Sequence, residues 1–291
     1  MNLWYEKIME LKEADEFKQI VRKWETLSIN MKKSSLKTAV ILPDMLLVAK
    51  SGVGKTKVLG LMSEYLASKG NLMDFYGDVK FFEFSMGYCA PDTTFTELTR
   101  LIDEVNSAAG FRNEFRGIIR IDIDEWLYHF EEKYFADFCE YLAANSEKWL
   151  IVLSVYTDEE AALHKLEAFL SMYLRLERVT LSLPKTEELF DYIEEKLALY
   201  GLSLAEDGRA LLFKTIETLR ESKYFDGFKS VRMICQDIAY EVFSQEDFRD
   251  YVLTAQDLKG FAYDSEYVNK TVVNMEKLSK IGFTAGEDGN E

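Results

Sequence analysis

The chain has 291 residues and carries 35 Lys and Arg against 51 Asp and Glu, a formal charge of −16, with 48% apolar and 14% aromatic side chains. That length suits two compact units with real cores, and the composition excludes a disordered or fibrous protein. The acidity argues against duplex DNA or an anionic membrane surface as partner, because both select a basic face.

In the first segment Trp4, Ile8, Leu11, Phe17, Ile20, Val21, Trp24 and Leu27 recur at helical spacing, as in helices that pack on a core. A basic-polar joint, Lys32–Lys37, separates them from the unbroken apolar run Pro43–Ala49, expected of a parallel strand covered on both faces. A helix from Lys55 to about Lys69 follows, then a strand over Val79–Ser85. Thr94 and Glu97 stand at capping-box spacing and open another helix. The alternation continues through a strand Gly117–Ile123, a helix from about Trp126 to Ala144, a strand Trp149–Tyr156, a helix to about Tyr173 and a strand Val179–Leu183. Strands alternating with helices predict an α/β architecture, a parallel sheet with helices on both faces.

After Pro184 the pattern becomes helical, with stretches near 185–200, 204–221 and 228–245 and no strand between them. A shorter helix is expected from Thr254, with Asp257 at capping distance. The reading divides the chain into an N-terminal helical segment (1–37), an α/β core (38–183), a small all-α unit (184–260) and a C-terminal helix with an acidic tail (261–291).

Cys89, Cys139 and Cys235 are odd in number and lack C-x-x-C spacing, and His129 and His164 are the only histidines. Neither a disulfide framework nor a His-based metal site is expected. The first residues lack the cationic start and apolar core of a signal peptide. No apolar run approaches the ~20 residues of a membrane span. The expectation is a soluble cytoplasmic protein without a membrane partner.

One motif carries most of the chemistry. Ala49-Lys50-Ser51-Gly52-Val53-Gly54-Lys55-Thr56 joins a buried strand to a helix in the pattern GxxxxGK[ST], with Ala49 in place of the first glycine. Such a loop turns its N–H groups toward a phosphate at a helix N-terminus. Ser51, Gly52, Val53 and Gly54 form the cradle, Lys55 reaches the β- and γ-phosphates, and Thr56 holds Mg²⁺. The implied cofactors are ATP and Mg²⁺. A carboxylate at a neighbouring strand end is also needed, and Asp122-Ile123-Asp124-Glu125 offers two on one face of the strand. Asp124 is preferred for the metal, with Asp122 the alternative. Glu125 follows Asp124 directly and is placed to polarise water as general base.

With these features the chain resembles the AAA+ ATPases, most of all the group that contains red-type Rubisco activase and the stage V sporulation ATPase, over about residues 38–260. The strand ending in Tyr156-Thr157-Asp158-Glu159 is similar to that group's Tyr-Thr-Asp turn. The resemblance makes Thr157 the sensor-1 residue, while its spacing also suits a helix cap. It implies an arginine finger acting in a neighbouring subunit, with Arg178 preferred and Arg175 second. It likewise implies a lid sensor in Gly227–Arg232, where Lys229 holds the first basic position and Arg232 the second. Tyr88 stands where relatives carry a pore aromatic, with ordinary packing as its alternative.

The function implied is an ATPase that works as a homo-oligomer, a hexameric ring, and remodels an unidentified protein partner. The alternatives are an ATP-dependent switch or scaffold with little hydrolysis and, less favoured on charge, a DNA-associated loader ATPase.

Overall fold

The computed structural model describes residues 2–34, 42–69, 72, 75–108, 115–222, 225–245 and 252–270. The expected C-terminal helix beyond 270, the acidic tail and the later part of the Lys32–Lys37 joint lie outside these residues. The chain divides into two units, one of residues 1–50 and 54–182, the other of 51–53 and 183–291.

The first unit begins with α1 (Leu3–Met9) and α2 (Asp15–Lys33). Asn2 caps α1 by accepting the Trp4 N–H at 3.0 Å, a partner for an otherwise orphaned helix donor. Of the apolar stripe, Ile8, Phe17, Ile20, Val21 and Trp24 are buried. Then come β1 (Asp44–Ala49), α3 (Lys55–Lys69), β2 (Phe75–Ser85), α4 (Pro91–Ala108), β3 (Phe115–Asp122), α5 (Lys133–Ala143), β4 (Trp149–Val155), α6 (Glu160–Leu170) and β5 (Leu176–Leu181).

The five strands form one parallel sheet in the order β2-β3-β4-β1-β5, with helices on both faces. Every residue of β1 and β4 is buried, as the unbroken apolar runs require of strands covered on both sides. Alternation splits the side chains of β1, β3 and β4: Leu46, Val48, Ile119, Ile121, Ile151 and Leu153 join the aromatics Trp126, Phe135 and Trp149 in one cluster, while their neighbours along each strand point to the opposite face.

The second unit contains α7 (Thr186–Leu199), α8 (Glu206–Arg220) and α9 (Gly227–Phe243), packed around Leu189, Ile193, Leu212, Ile216, Val231 and Ile238. Contrary to the all-helical expectation, a two-residue parallel ladder joins β6 (Ser203–Leu204) to β7 (Val252–Leu253). Gly208 permits it, since a Cβ there would lie 2.5 Å from the Leu253 carbonyl oxygen.

Several boundaries differ from the sequence reading. α4 starts at Pro91, a residue suited to the first turn because it has no N–H to leave unpaired; Thr94 lies inside the helix and its hydroxyl donates to the Ser85 carbonyl at 3.1 Å. The helix expected from Trp126 is a 3₁₀ turn, Asp124–Trp126, then turns, and is α-helical only from Lys133. β5 starts three residues early, so Arg178 lies within it. Thr254 does meet Asp257, through N–H and hydroxyl at 2.8 and 2.7 Å, but closes a turn before the 3₁₀ segment Lys259–Phe261.

Asp44 opens β1 at 3% exposure, and its carboxyl accepts the Ile151 N–H at 2.9 Å. Burial raises its pKa to about 7, only partly opposed by that hydrogen bond. An unfolded Asp titrates near 3.9, so between about pH 4 and pH 7 the folded chain binds the extra proton, and stability falls as pH rises through that window. Asp44→Asn keeps the acceptor and removes the titration. Urea unfolding across this range should show the variant gaining on wild type as pH rises; a pH-independent difference refutes the assignment.

Candidate functional site

The loop between β1 and α3 has its glycines where the backbone demands them. Gly52 and Gly54 adopt φ of 75° and 97°, a region that L side chains avoid. Ala49 does not: among the described residues Glu13 is the only non-glycine with positive φ, so alanine at the first motif position needs no strain.

Lys55, first residue of α3, is 8% exposed. Its ammonium donates to the Ala49 carbonyl at 3.0 Å and stands 3.9 Å from the Asp122 carboxylate. Burial lowers its pKa, Arg120 adds to that by repulsion, and Asp122, Asp124 and Glu83 act in the opposite direction.

Asp122 ends β3 in register with Ser85 of β2 and Ser154 of β4. One carboxylate oxygen accepts from the Arg120 guanidinium at 3.1 Å and the Ser154 hydroxyl at 3.4 Å. The other accepts the Asp124 N–H at 3.2 Å. Asp124, in the turn beyond the strand, accepts the Tyr156 N–H at 2.6 Å. Burial, then the neighbouring Asp122 charge, raises its pKa to about 6. Glu125 accepts the Tyr88 N–H at 2.7 Å.

Three groups were not singled out from the sequence. The Thr56 hydroxyl donates to Glu83 of β2, at 2.9 and 3.2 Å to its two oxygens. Arg120 donates to the same Glu83 at 2.6 Å and to Ser154 at 3.1 Å. A polar chain thus runs Thr56–Glu83–Arg120–Asp122, with Ser154 beside it and Lys55 at its end. The available signal was the alternation in Ile119-Arg120-Ile121-Asp122, which sets two charges on one face of a buried strand.

The remaining candidates make other contacts. Thr157 is half-buried and its hydroxyl accepts the Glu159 N–H at 2.9 Å, a turn contact just before α6. Arg178 forks onto Glu160, at 2.7 and 3.2 Å. Arg175 is exposed before β5 and makes no ion pair among the described residues. Tyr88 stacks on His129 with centroids 4.0 Å apart, meets Trp126 edge-on at 5.2 Å, and donates its hydroxyl to Glu132 at 2.9 Å; its ring is engaged in packing. In the second unit Lys229 and Arg232 are exposed on α9, with Lys229 3.8 Å from Asp226. Within that unit the Gly52 carbonyl accepts the Phe228 N–H at 2.9 Å.

A hydroxyl and carboxylates are the hard oxygen donors that magnesium takes, usually one or two of them with phosphates and water completing the shell. Among the described residues no group of three or more His, Cys, Asp or Glu is arranged to hold a metal by itself. The donors present fit an ion shared with a nucleotide. No described helix is long and apolar enough to cross a membrane.

No protein-family model matches the chain, and no curated protein matches its sequence. Its fold does match solved structures of RuvB from Thermotoga maritima. A proline-to-glycine mutant of RuvB aligns with a TM-score of 0.54 at 12% identity, over 97% of this chain and 81% of that one. An alanine-to-serine mutant aligns at 0.52 and 12%, over 94% and 78%. The structure described as the RuvB Holliday junction branch migration motor aligns at 0.50 and 13%, over 93% and 81%. At such identity the likeness is one of fold: the chain shares with these structures a parallel five-stranded sheet covered by helices on both faces and followed by helices. These likenesses give no support to the narrower Rubisco activase and sporulation group, nor to the expectation that nucleic acid is no partner.

A Cβ at Gly52 would lie 1.6 Å from the Asp226 carbonyl oxygen, besides requiring a strained φ. Gly52→Ala should therefore lower the thermal midpoint by several degrees, as about 1–3 kcal/mol of strain predicts. An unchanged midpoint by calorimetry would show that the Gly52–Asp226 approach is not kept in solution.

Proposed function

We propose that the chain binds and hydrolyses ATP with magnesium at Ser51–Thr56, and that it assembles into a ring, a hexamer by resemblance, which remodels a protein partner. The observation that carries the reading is the nearly buried Lys55, set between a strand-end carbonyl and a strand-end carboxylate at the start of a helix. Burying a cation is costly unless it has a task or a partner. Here its neighbours leave it able to meet a phosphate.

When bound, the nucleotide provides the transferable phosphoryl group and the metal provides positive charge against it. The loop amides and Lys55 bind and orient the phosphates. Thr56 holds the metal with Asp124, or with Asp122, whose carboxylate is the one nearer Lys55. Glu125 orients the attacking water and takes its proton; to act it must exchange the Tyr88 N–H for that water. Thr157 is the residue that the sequence resemblance assigns to sensor 1. Lys229 and Arg232 are the cations that the sequence resemblance assigns to nucleotide sensing.

For the trans-acting finger, Arg175 is the less committed guanidinium, since Arg178 is forked onto Glu160. A finger works by meeting charge on the transferring phosphoryl group of the next subunit.

The charge of −16 favours a protein partner over polyanionic DNA. The fold likeness to a branch migration motor favours the other reading, a DNA-associated ATPase. Little or no turnover in an assembled ring would instead indicate a nucleotide-dependent switch. Four-way-junction DNA should leave the ATPase rate unchanged if the partner is protein, and raise it if the partner is DNA.

Lys55→Ala should abolish measurable ATP binding by calorimetry, whereas Glu125→Gln should keep it and lower single-turnover hydrolysis by about 10²–10⁴-fold. Retained affinity in a folded Lys55→Ala chain defeats the loop assignment. Equal rates in Glu125→Gln and an active wild type defeat the base assignment.

Arg175→Ala should lower turnover of the assembly and leave single-site ATP affinity unchanged. Mixed with Lys55→Ala it should recover activity, because one subunit brings an intact loop and the other an intact finger. Recovery only in mixtures made with Arg178→Ala would move the finger to Arg178.

A further inference from the structure

Glu83 occupies a position that neither the loop motif nor the strand-end acids account for. Its two carboxylate oxygens lie 2.9 and 3.2 Å from the Thr56 hydroxyl, the same oxygen the loop motif assigns to the metal. Adjacent corners of an octahedron with metal–oxygen distances of about 2.1 Å are about 3 Å apart. Glu83 is therefore spaced as a neighbouring ligand of Thr56, or as the acceptor for a water in that position.

The carboxylate is held there by Arg120, whose guanidinium donates to Glu83 at 2.6 Å and to Asp122 at 3.1 Å. The Arg120 side chain is only 13% exposed, against 34% for Glu83 and 21% for Asp122. A planar fork that bridges two carboxylates fixes their separation, which an ammonium, with one point of charge, does not do. The bridge also offsets the repulsion between acids gathered near one site. These residues come from three elements of the first unit: Thr56 from α3, Glu83 from β2, Arg120 and Asp122 from β3.

We propose that Glu83 is a magnesium-site residue acting beside Thr56, and that Arg120 is the positioning residue that holds Glu83 and Asp122 in place. The inference rests on the nucleotide reading of the loop and adds to it a second-strand carboxylate and its clamp.

The test measures ADP affinity by calorimetry with saturating magnesium and again with EDTA, and takes the ratio of the two. Wild type should bind more tightly with magnesium. Glu83→Gln, which keeps the shape and removes the charge, should reduce that ratio by about tenfold while its affinity in EDTA stays within about threefold of wild type. Arg120→Met should shift the ratio the same way by a smaller factor, Arg120→Lys should restore part of it, and the Glu83→Gln/Arg120→Met double variant should lose less than the product of the two single factors, because Arg120 acts partly through Glu83.

An unchanged ratio in Glu83→Gln overturns the proposal, and so does a raised ratio, which would mean that Glu83 competes with the metal for Thr56. Loss of fold in Glu83→Gln, read by circular dichroism, makes Glu83 structural and also overturns it. A wild type that binds no ADP in either buffer removes the nucleotide reading itself. A wild type with normal magnesium-dependent binding matched by its variants removes only the role given to Glu83.

Discussion

The strand order is the constraint from which the candidate site follows. Because β4 and β3 lie between β1 and β2, the chain leaving β1 must cross both before its next strand can join the far edge of the sheet. It does so as α3, and that crossing carries the loop and the start of the helix over the carboxyl ends of the neighbouring strands. Open parallel sheets bind ligands where the order reverses in this way. Thr56 and Lys55 meet residues from β2 and β3 for this reason: Glu83 and Asp122 lie far away in sequence but stand on adjacent strands, two register positions apart.

What gathers there is expensive. Lys55 and Arg120 are nearly out of water, and Glu83, Asp122 and Asp124 surround them. Each charge is tolerable only because the others are present: burial and Arg120 lower the Lys55 pKa, and the acids oppose that. The rise of Asp124 to about 6 is the other side of the same balance, since burial and a second acid disfavour its ionised form. A phosphate and a divalent ion would alter both terms. The arrangement thus resembles a ligand site more than a stabilising ion-pair network, for which buried charges are a poor investment relative to apolar packing.

Fold and function separate at the partner. The sheet, the loop and the strand-end acids make a nucleotide site physically reasonable, and the likeness to RuvB structures shows the fold. Neither selects a partner, because one architecture serves many partners through differences at its surface. The charge of −16 is the one global property of this chain that bears on the question, and it bears on encounter electrostatics rather than on chemistry.

The sequence by itself determined the alternation of strand and helix, the buried central strands and the glycine loop between β1 and α3. Those signals are local: a run of apolar residues, a pair of glycines and a Lys-Thr at fixed spacing act within a dozen positions. Boundaries were less legible where a tertiary partner decides them. Thr94 looks like a cap but is spent on the Ser85 carbonyl, and the helix expected from Trp126 opens as a 3₁₀ turn where Asp124 reaches the Tyr156 N–H just past the end of β4. Glu83 and Arg120 carried only a faint sign, their alternation with apolar neighbours, since nothing local says which charge on another strand they face. Only the tertiary structure decided that Thr56 meets Glu83, that Arg178 is tied to Glu160 while Arg175 is free among the described residues, and that Gly52 abuts the backbone of Asp226. The physical reason is common to all of them: contacts between residues distant in sequence depend on strand order and register, which no short window of sequence encodes.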